Sequence, residues 1–309
     1  MVKITGPLHS DHASKQLGKN VIFKTYGNRH FVTNYNKPAS VKPFTPSPNQ
    51  YNQRMLYNLI IARWQTLTDN QKAVYNDETR EKGLQMSGWN YFLREALKDL
   101  PTYLGLQGYW AFNQIVNGKY QDLSGNANHG TPKPSYPSNY PRMVDSINKK
   151  FGKAASFDGI DDRVNCGYSS DFDSINLTIS LWFNPLDIST TRGLFDKRSG
   201  NTGYYVFIDN NNLYIRFFNS VGSRIDKHFI ISTGWNHLII IVNNTHYEPF
   251  LNNVSQGSIV KEGYAPSPGT PFTIGWIGDK YFNGFIDEVR IYNRVLSEEE
   301  IKKHYKLIR

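Results

Sequence analysis

Across residues 109–292 apolar side chains recur at every second position, in short runs divided by Gly, Asn and Asp. Residues 178–183 (TISLWF), 204–208 (YYVFI) and 213–217 (LYIRF) follow this period, which sends alternate side chains to opposite faces of a strand. Residues 235–242 (WNHLIIIV) are too continuously apolar for a half-exposed strand and predict one inside a sheet. Many such strands with turn residues between them predict two sheets facing one core. The period changes over residues 54–100, where three helices are expected. Ile60 and Trp64 lie on the apolar stripe of the first. Thr68 and Gln71 form a capping-box pattern that opens the second, which Gly83 stops; Ser87 caps the third, and Pro101 closes it. Further upstream, residues 20–26 and 29–35 read as a hairpin around Gly27 and Asn28. Residues 37–48 hold Pro38, Pro43, Pro46 and Pro48 and read as an extended arm.

Charge sharpens this division. The 309 residues carry a formal net charge of +9, and residues 1–63 hold nine Lys/Arg against one acid, Asp11. Residues 105–309 are near neutral, with 21 Lys/Arg against 19 Asp/Glu. A basic excess confined to one end suits an acidic partner surface. Lys15, Lys19, Lys24, Arg29, Lys37, Lys42 and Arg54 are the expected docking residues. No apolar run is long enough to span a bilayer, so no membrane insertion is expected. The opening residues lack a charged-then-apolar leader, which points to synthesis in a cytoplasm. The single cysteine, Cys166, excludes an internal disulfide framework.

Four motifs stand in order in the β-rich part: 122–130 (DLSGNANHG), 157–162 (FDGIDD), 235–242 (WNHLIIIV) and 284–297 (GFIDEVRIYNRVLS). Together they resemble the laminin-G-like, concanavalin A-like jelly-roll family over residues 105–309. The resemblance implies an all-β two-sheet sandwich whose first strand, near residues 109–112, pairs with the last, 284–292. Residues 64–76 (WQTLTDNQKAVYN) and 84–92 (LQMSGWNYF), behind a lysine-rich hairpin, resemble small virion structural proteins of tailed bacteriophages. Residues 64–75 are also similar to the second helix of an HMG box. Residues 64–104 carry five Lys/Arg against six Asp/Glu, however, which argues against nucleic acid as partner. The expected organisation is therefore multi-domain. A basic arm with a short hairpin occupies 1–53, a small three-helix docking bundle 54–104, and the jelly roll 105–309.

The family resemblance implies one structural calcium ion where the 122–130 loop meets the last strand. Asp122 and Asp287 are the matching carboxylates, and Asn126 and Asn128 can add oxygens, as hard-cation coordination requires. The alternative is that Asp122 and Asn126 only close side-chain turns. Sugar sites place aromatic ring faces beside amides and carboxylates, which makes Tyr204, Tyr214, Trp276 and Tyr281 the glycan candidates. Asp158, Asp161 and Asp162 read as a tight turn at Gly159 and not as the separated carboxyl pair of a glycosidase. No catalytic set is expected, and the protein is not expected to be an enzyme. The resulting expectation is a virion protein of a tailed virus, made in the host cytoplasm. It would decorate the capsid or tail in many copies, dock on capsid or tail proteins, and present the jelly roll for particle stabilisation or for weak adhesion to host glycans. A cellular carbohydrate-binding or adhesion protein is the alternative.

Overall fold

A computed structural model describes the backbone of residues 16–17, 21–26 and 29–34. It also describes residues 57, 60–61, 63–98, 104–134, 140–147, 152–219, 221–261, 263 and 265–306. The chain divides into two compact units, Met1–Tyr51 and Asn52–Arg309. In the first, Gln16–Leu17, Val21–Tyr26 and Arg29–Asn34 form an antiparallel sheet, with Tyr26 opposite Arg29. That register leaves two residues for the connection, as in the tightest hairpins. Lys24 and Arg29 sit on these strands, while Lys15, Lys19, Lys37, Lys42, Arg54 and the proline-rich arm lie outside the described residues.

The second unit begins with helices. Residues 63–66 are helical, followed by α1 (Asp69–Glu81) and α2 (Gly88–Lys98). Thr68 accepts the Gln71 N–H while the Gln71 side chain accepts the Thr68 N–H, which closes the expected capping box. The Ser87 hydroxyl accepts the Asn90 N–H at the start of α2. Trp64 sits at the centre of an aromatic cluster, 5.8 Å from Tyr75, 5.4 Å from Trp89 and 5.2 Å from Phe92 between ring centroids. So small a core gains from a neighbour, and the sandwich is that neighbour. Thr66 lines a shallow cleft with Phe112, Asn113 and Leu123. A Cβ on Gly152 would come within 2.6 Å of the Gln71 amide nitrogen, so the two layers meet closely there.

The rest is a two-sheet sandwich. One sheet runs Arg224–Ile230, Asn212–Phe218, Thr202–Asp209, Arg192–Ser199, Thr273–Ile274, Arg163–Asn165, Thr131–Lys133. The other runs Val254–Ser255, His246–Leu251, Asn236–Val242, Leu177–Pro185, Asn283–Tyr292, Lys153–Asp158, Arg142–Asp145. Leu106–Trp110 pairs with Asn283–Tyr292, as expected of the first and last strands, and Asn236–Val242 lies inside its sheet. Alternation along the strands builds the core between the sheets. Ile179, Leu181, Leu238 and Ile240 of one sheet share a single buried cluster with Val206, Ile208, Leu213 and Ile215 of the other.

The outer face of the larger sheet is roofed by α3 (Glu298–Lys306), which Ser297 caps through the Glu300 N–H. Beneath it is a buried polar layer. Tyr109 donates its hydroxyl to Glu288, and the Arg290 guanidinium donates to Glu288, to Tyr109 at 3.2 Å and to His304 Nδ1 at 3.2 Å. A guanidinium only donates, so His304 accepts at Nδ1 and carries its proton on Nε2, which faces the Tyr292 oxygen at 3.2 Å. The Ser180 hydroxyl lies 3.2 Å from His237 Nε2. Burial, with Arg290 nearby, pushes His237 down to about 3 and His304 well below the usual imidazole range.

A base with a depressed folded pKa leaves the unfolded chain holding more protons. Its contribution is complete above the unfolded value of 6.5 and is lost as pH falls towards about 3. Between pH 7 and pH 5 the wild type should therefore lose about 2 kcal/mol relative to a His237→Gln variant. Urea titrations of both proteins at the two pH values measure this, and equal slopes would refute it.

Candidate functional site

Core packing on one side of the smaller sheet decides what its other side presents. Tyr204, Val206 and Ile208, with Leu213, Ile215 and Phe217 of the next strand, point into the core. Their alternates, Tyr205, Phe207, Tyr214 and Arg216, therefore face outward. Pairing places Asp196, Tyr205, Arg216 and Asp226 in one row and Gly193, Phe207, Tyr214 and His228 in the next. In the first row Arg216 holds Asp226 through two hydrogen bonds, of 2.6 and 2.8 Å, and the Arg198 guanidinium lies 4.1 Å from the centre of the Tyr205 ring. In the second row Phe207 and Tyr214 stack at 4.8 Å and 8°, with His228 stacked 5.1 Å beyond Tyr214.

The row continues across Gly193. Here the short hairpin of Trp276–Ile277 and Lys280–Tyr281 lies against the sheet. A Cβ on Gly193 would fall 2.3 Å from the Ile277 nitrogen and 2.7 Å from the Lys280 carbonyl, so only glycine admits the hairpin. Ile277 is buried with Tyr205 and Phe207. Half-buried Trp276 and Tyr281 flank the half-buried Arg163. The guanidinium of Arg163 donates to the Tyr281 hydroxyl at 3.1 Å and lies 5.5 Å from the centre of the Trp276 ring. Aromatic faces, a guanidinium and paired carboxylates thus share one surface. This combination can stack on apolar ring faces of a ligand and hydrogen-bond its hydroxyls.

Three of the four expected glycan residues, Tyr214, Trp276 and Tyr281, lie on this surface. Tyr204 does not: it is 1% exposed and donates its hydroxyl to the Phe172 carbonyl inside the core. Its parity with Val206 and Ile208 was the signal for that. Sequence reasoning missed Arg163, Arg198, Phe207 and Arg216, of which the same parity marks Phe207 and Arg216 as outward, alongside Tyr214.

Next to the hairpin, residues 158–162 turn between Lys153–Asp158 and Arg163–Asn165, with Gly159 at φ +79°. The Asp158 carboxylate accepts the Ile160 N–H at 2.8 Å, and Asp162 Oδ2 accepts the Asp158 N–H at 3.0 Å. Arg192 ties the turn to Asp187 by donating to the Gly159 carbonyl at 3.1 Å and to Asp187 at 2.8 Å. Burial, with the Asp158 and Asp161 charges adding to it, pushes the Asp162 carboxyl up to about 7.

The residues expected to hold calcium form two hydrogen-bond sets. Asp122 accepts from the N–H groups of Tyr109, Ser124 and Asn128 and from the Ser124 hydroxyl, at 2.8–2.9 Å. Asn126 and Asn128 direct their amide N–H groups to the Gln107 carbonyl. Asp287 is fully buried, accepts the Ser146 hydroxyl and the Glu288 N–H, and is held well above the usual carboxylate range by burial and by the Glu288 charge. Donors converge on Asp122, and the positive ends of those dipoles occupy the directions an ion would need. The arrangement fits a loop clasp and does not fit an oxygen-coordinated cation at Asp122.

Residues 158–302 match the model of the concanavalin A-like lectin/glucanases superfamily. Among solved structures the fold is similar to the binding domain of Paraclostridial Mosquitocidal Protein 1, with TM-score 0.53 and 20% identity over 66% of this chain and 52% of that one. It is also similar to the binding domain of botulinum neurotoxin DC in complex with SialylT, with TM-score 0.52 and 14% identity over 67% and 52% of the two chains. The third is domain 4 of AbnA, an extracellular arabinanase of Geobacillus stearothermophilus, in complex with arabinotriose. Its TM-score is 0.51 at 22% identity, over 66% of this chain and 98% of that domain. The chain spans about half the length of the toxin binding domains it matches. No curated protein matches it.

Core and surface tyrosines should separate in stability. Tyr204→Ala should cost about 3–5 kcal/mol as a buried aromatic truncation. Tyr214→Ala should cost about 1–2 kcal/mol, the worth of a half-buried aromatic stack. Urea midpoints of the two variants test the assignment of inner and outer faces.

Proposed function

We propose that this protein is a glycan-adhesion component of a tailed-virus particle. It docks by its basic amino-terminal region and helices and presents the outer face of the smaller sheet to host-surface sugars. The observation that carries the sugar-binding part is the set of half-buried aromatics Tyr214, on the smaller sheet, and Trp276 and Tyr281, on the hairpin that packs on that sheet through Ile277, with Arg163 and Arg216 beside them. Two proteins of similar fold, a neurotoxin binding domain in complex with SialylT and an arabinanase domain in complex with arabinotriose, support the same reading. The particle part rests on the charge division of the chain and on the resemblance of residues 64–92 to phage virion proteins. Many copies on one particle turn weak single-site contacts into useful avidity. The reading is binding and not catalysis. The hydroxyl and imidazole groups of Ser180, His237 and His304 are buried under α3, where no polymer reaches them. Among the described residues no helix is long and apolar enough to cross a membrane.

The full chain on an immobilised glycan panel should retain at least one class of oligosaccharide. Trp276→Ala and Tyr214→Ala should each weaken retention by about tenfold or more, in keeping with loss of a ring-face contact. No retention of any glycan would overturn the adhesion reading. Density-gradient particles analysed by mass spectrometry test the other half. Co-migration with a major capsid protein is expected, and the chain free in lysate or on the cell envelope would favour a cellular adhesion protein instead.

A further inference from the structure

The 158–162 turn gathers three carboxyl groups. Asp158, Asp161 and Asp162 each place a carboxylate oxygen so that the three oxygens lie within 4.8 Å of one another. Two ligands of one calcium ion, each about 2.4 Å from it, are separated by at most about 4.8 Å, and the three oxygens meet that condition. A second observation concerns Asp162 itself, which is 4% exposed. Its Oδ2 accepts the Asp158 N–H, but its Oδ1 is buried with no hydrogen-bond partner among the described residues. A buried carboxylate oxygen without a donor is costly unless a cation compensates it or the carboxyl takes up a proton. Asp196 also buries an unbonded oxygen, but it has a basic partner, Arg198, at 3.5 Å. For Asp162 the basic side chain nearby is Arg142, which acts only through its charge.

We propose that the 158–162 turn binds a calcium ion through the carboxylates of Asp158, Asp161 and Asp162. An all-oxygen set of three carboxyl groups selects a hard divalent cation. Asp158 is exposed and Asp161 half-buried, so the outer side of the site is open to water. Water can complete the six to eight positions calcium takes, without the strict octahedron of magnesium. The ion would fix the turn against Asn283, which pairs with Asp158 two residues beyond Tyr281. This site is separate from Asp122 and Asp287, and it stands whether or not the outer sheet face binds sugar.

The test uses the full chain, stripped with chelator and then titrated with calcium chloride. Thermal unfolding should shift upward by several degrees and saturate by about 1 mM, the range of exposed carboxylate sites. Terbium should bind the same site and be displaced by calcium. Asp161→Asn should weaken calcium binding about tenfold or more, with little change in the midpoint measured in chelator, because removing one of three crowded carboxyl groups does not harm the empty fold. Asp158→Asn supplies a second variant with the same expectation. No shift at about 5 mM calcium would overturn the proposal. So would an undiminished shift in both variants, which would place the ion elsewhere.

Discussion

The ten-residue strand Asn283–Tyr292 hydrogen-bonds along one edge to Leu177–Pro185. Its other edge is shared by Lys153–Asp158 and Leu106–Trp110. Four segments spread over most of the second unit are thus locked by one ladder. Its register is broken opposite Ser180 and Trp182, where Glu288 adopts φ +53°, a conformation costly for a residue with a side chain. The bulge lets two consecutive acids find different partners: Asp287 takes Ser146, while Glu288 takes Tyr109 and Arg290. A regular strand would send these two side chains to opposite faces in a fixed register, and both sets of partners could not be met.

That ladder also determines which side of the sandwich is available. Behind the larger sheet, α3 covers Ser180, His237, Arg290 and Tyr292, and Trp182 stacks on Tyr305 at 5.7 Å and 6°. Among the described residues no helix covers the smaller sheet, and its outer side keeps large aromatics that are stabilised by stacking on each other and on arginines. Tyr205 and Phe207 of that side are themselves buried against Ala265 and Ile277, which leaves half-buried Tyr214 towards solvent.

Much of this was legible because it is local. The Thr68–Gln71 capping box, the Ser87 and Ser297 caps, and the 158–162 turn each depend on residues a few positions apart, and each formed as the spacing demanded. The pairing of first and last strands followed from the motif order. Tyr204 shows what was not read closely enough. Both Tyr204 and Tyr205 are aromatic, and only the parity of Val206, Ile208, Leu213 and Ile215 decides which one is inside. Asp122 shows a harder limit. A carboxylate in a turn serves equally as an ion ligand or as a hydrogen-bond acceptor, and the choice depends on N–H groups of Tyr109 and Asn128 brought to it by the fold. The hairpin over Gly193 depends on a contact between residues more than eighty positions apart, which no local pattern announces.

Elsewhere in the sandwich several buried charges are paired. Lys197 is fully buried yet bound to Asp173 at 2.7 Å and to the Ser267 carbonyl at 3.0 Å. Arg290 is met by Glu288, and Arg216 by Asp226 with both oxygens. These pairs follow the rule that a charge leaves water only with a partner of opposite sign and correct geometry. In the turn three carboxyl groups converge, one of them buried, with Arg142 acting on Asp162 through its charge. Mutual repulsion of such groups when ionised destabilises a turn unless something positive enters it. Arg192 does not supply that charge, because its guanidinium is spent on Asp187 and the Gly159 carbonyl. A mobile cation from solution meets the requirement with ligands already within reach of one another, and it does so at the edge of the aromatic surface, where a firm turn also firms the strand end beside Tyr281.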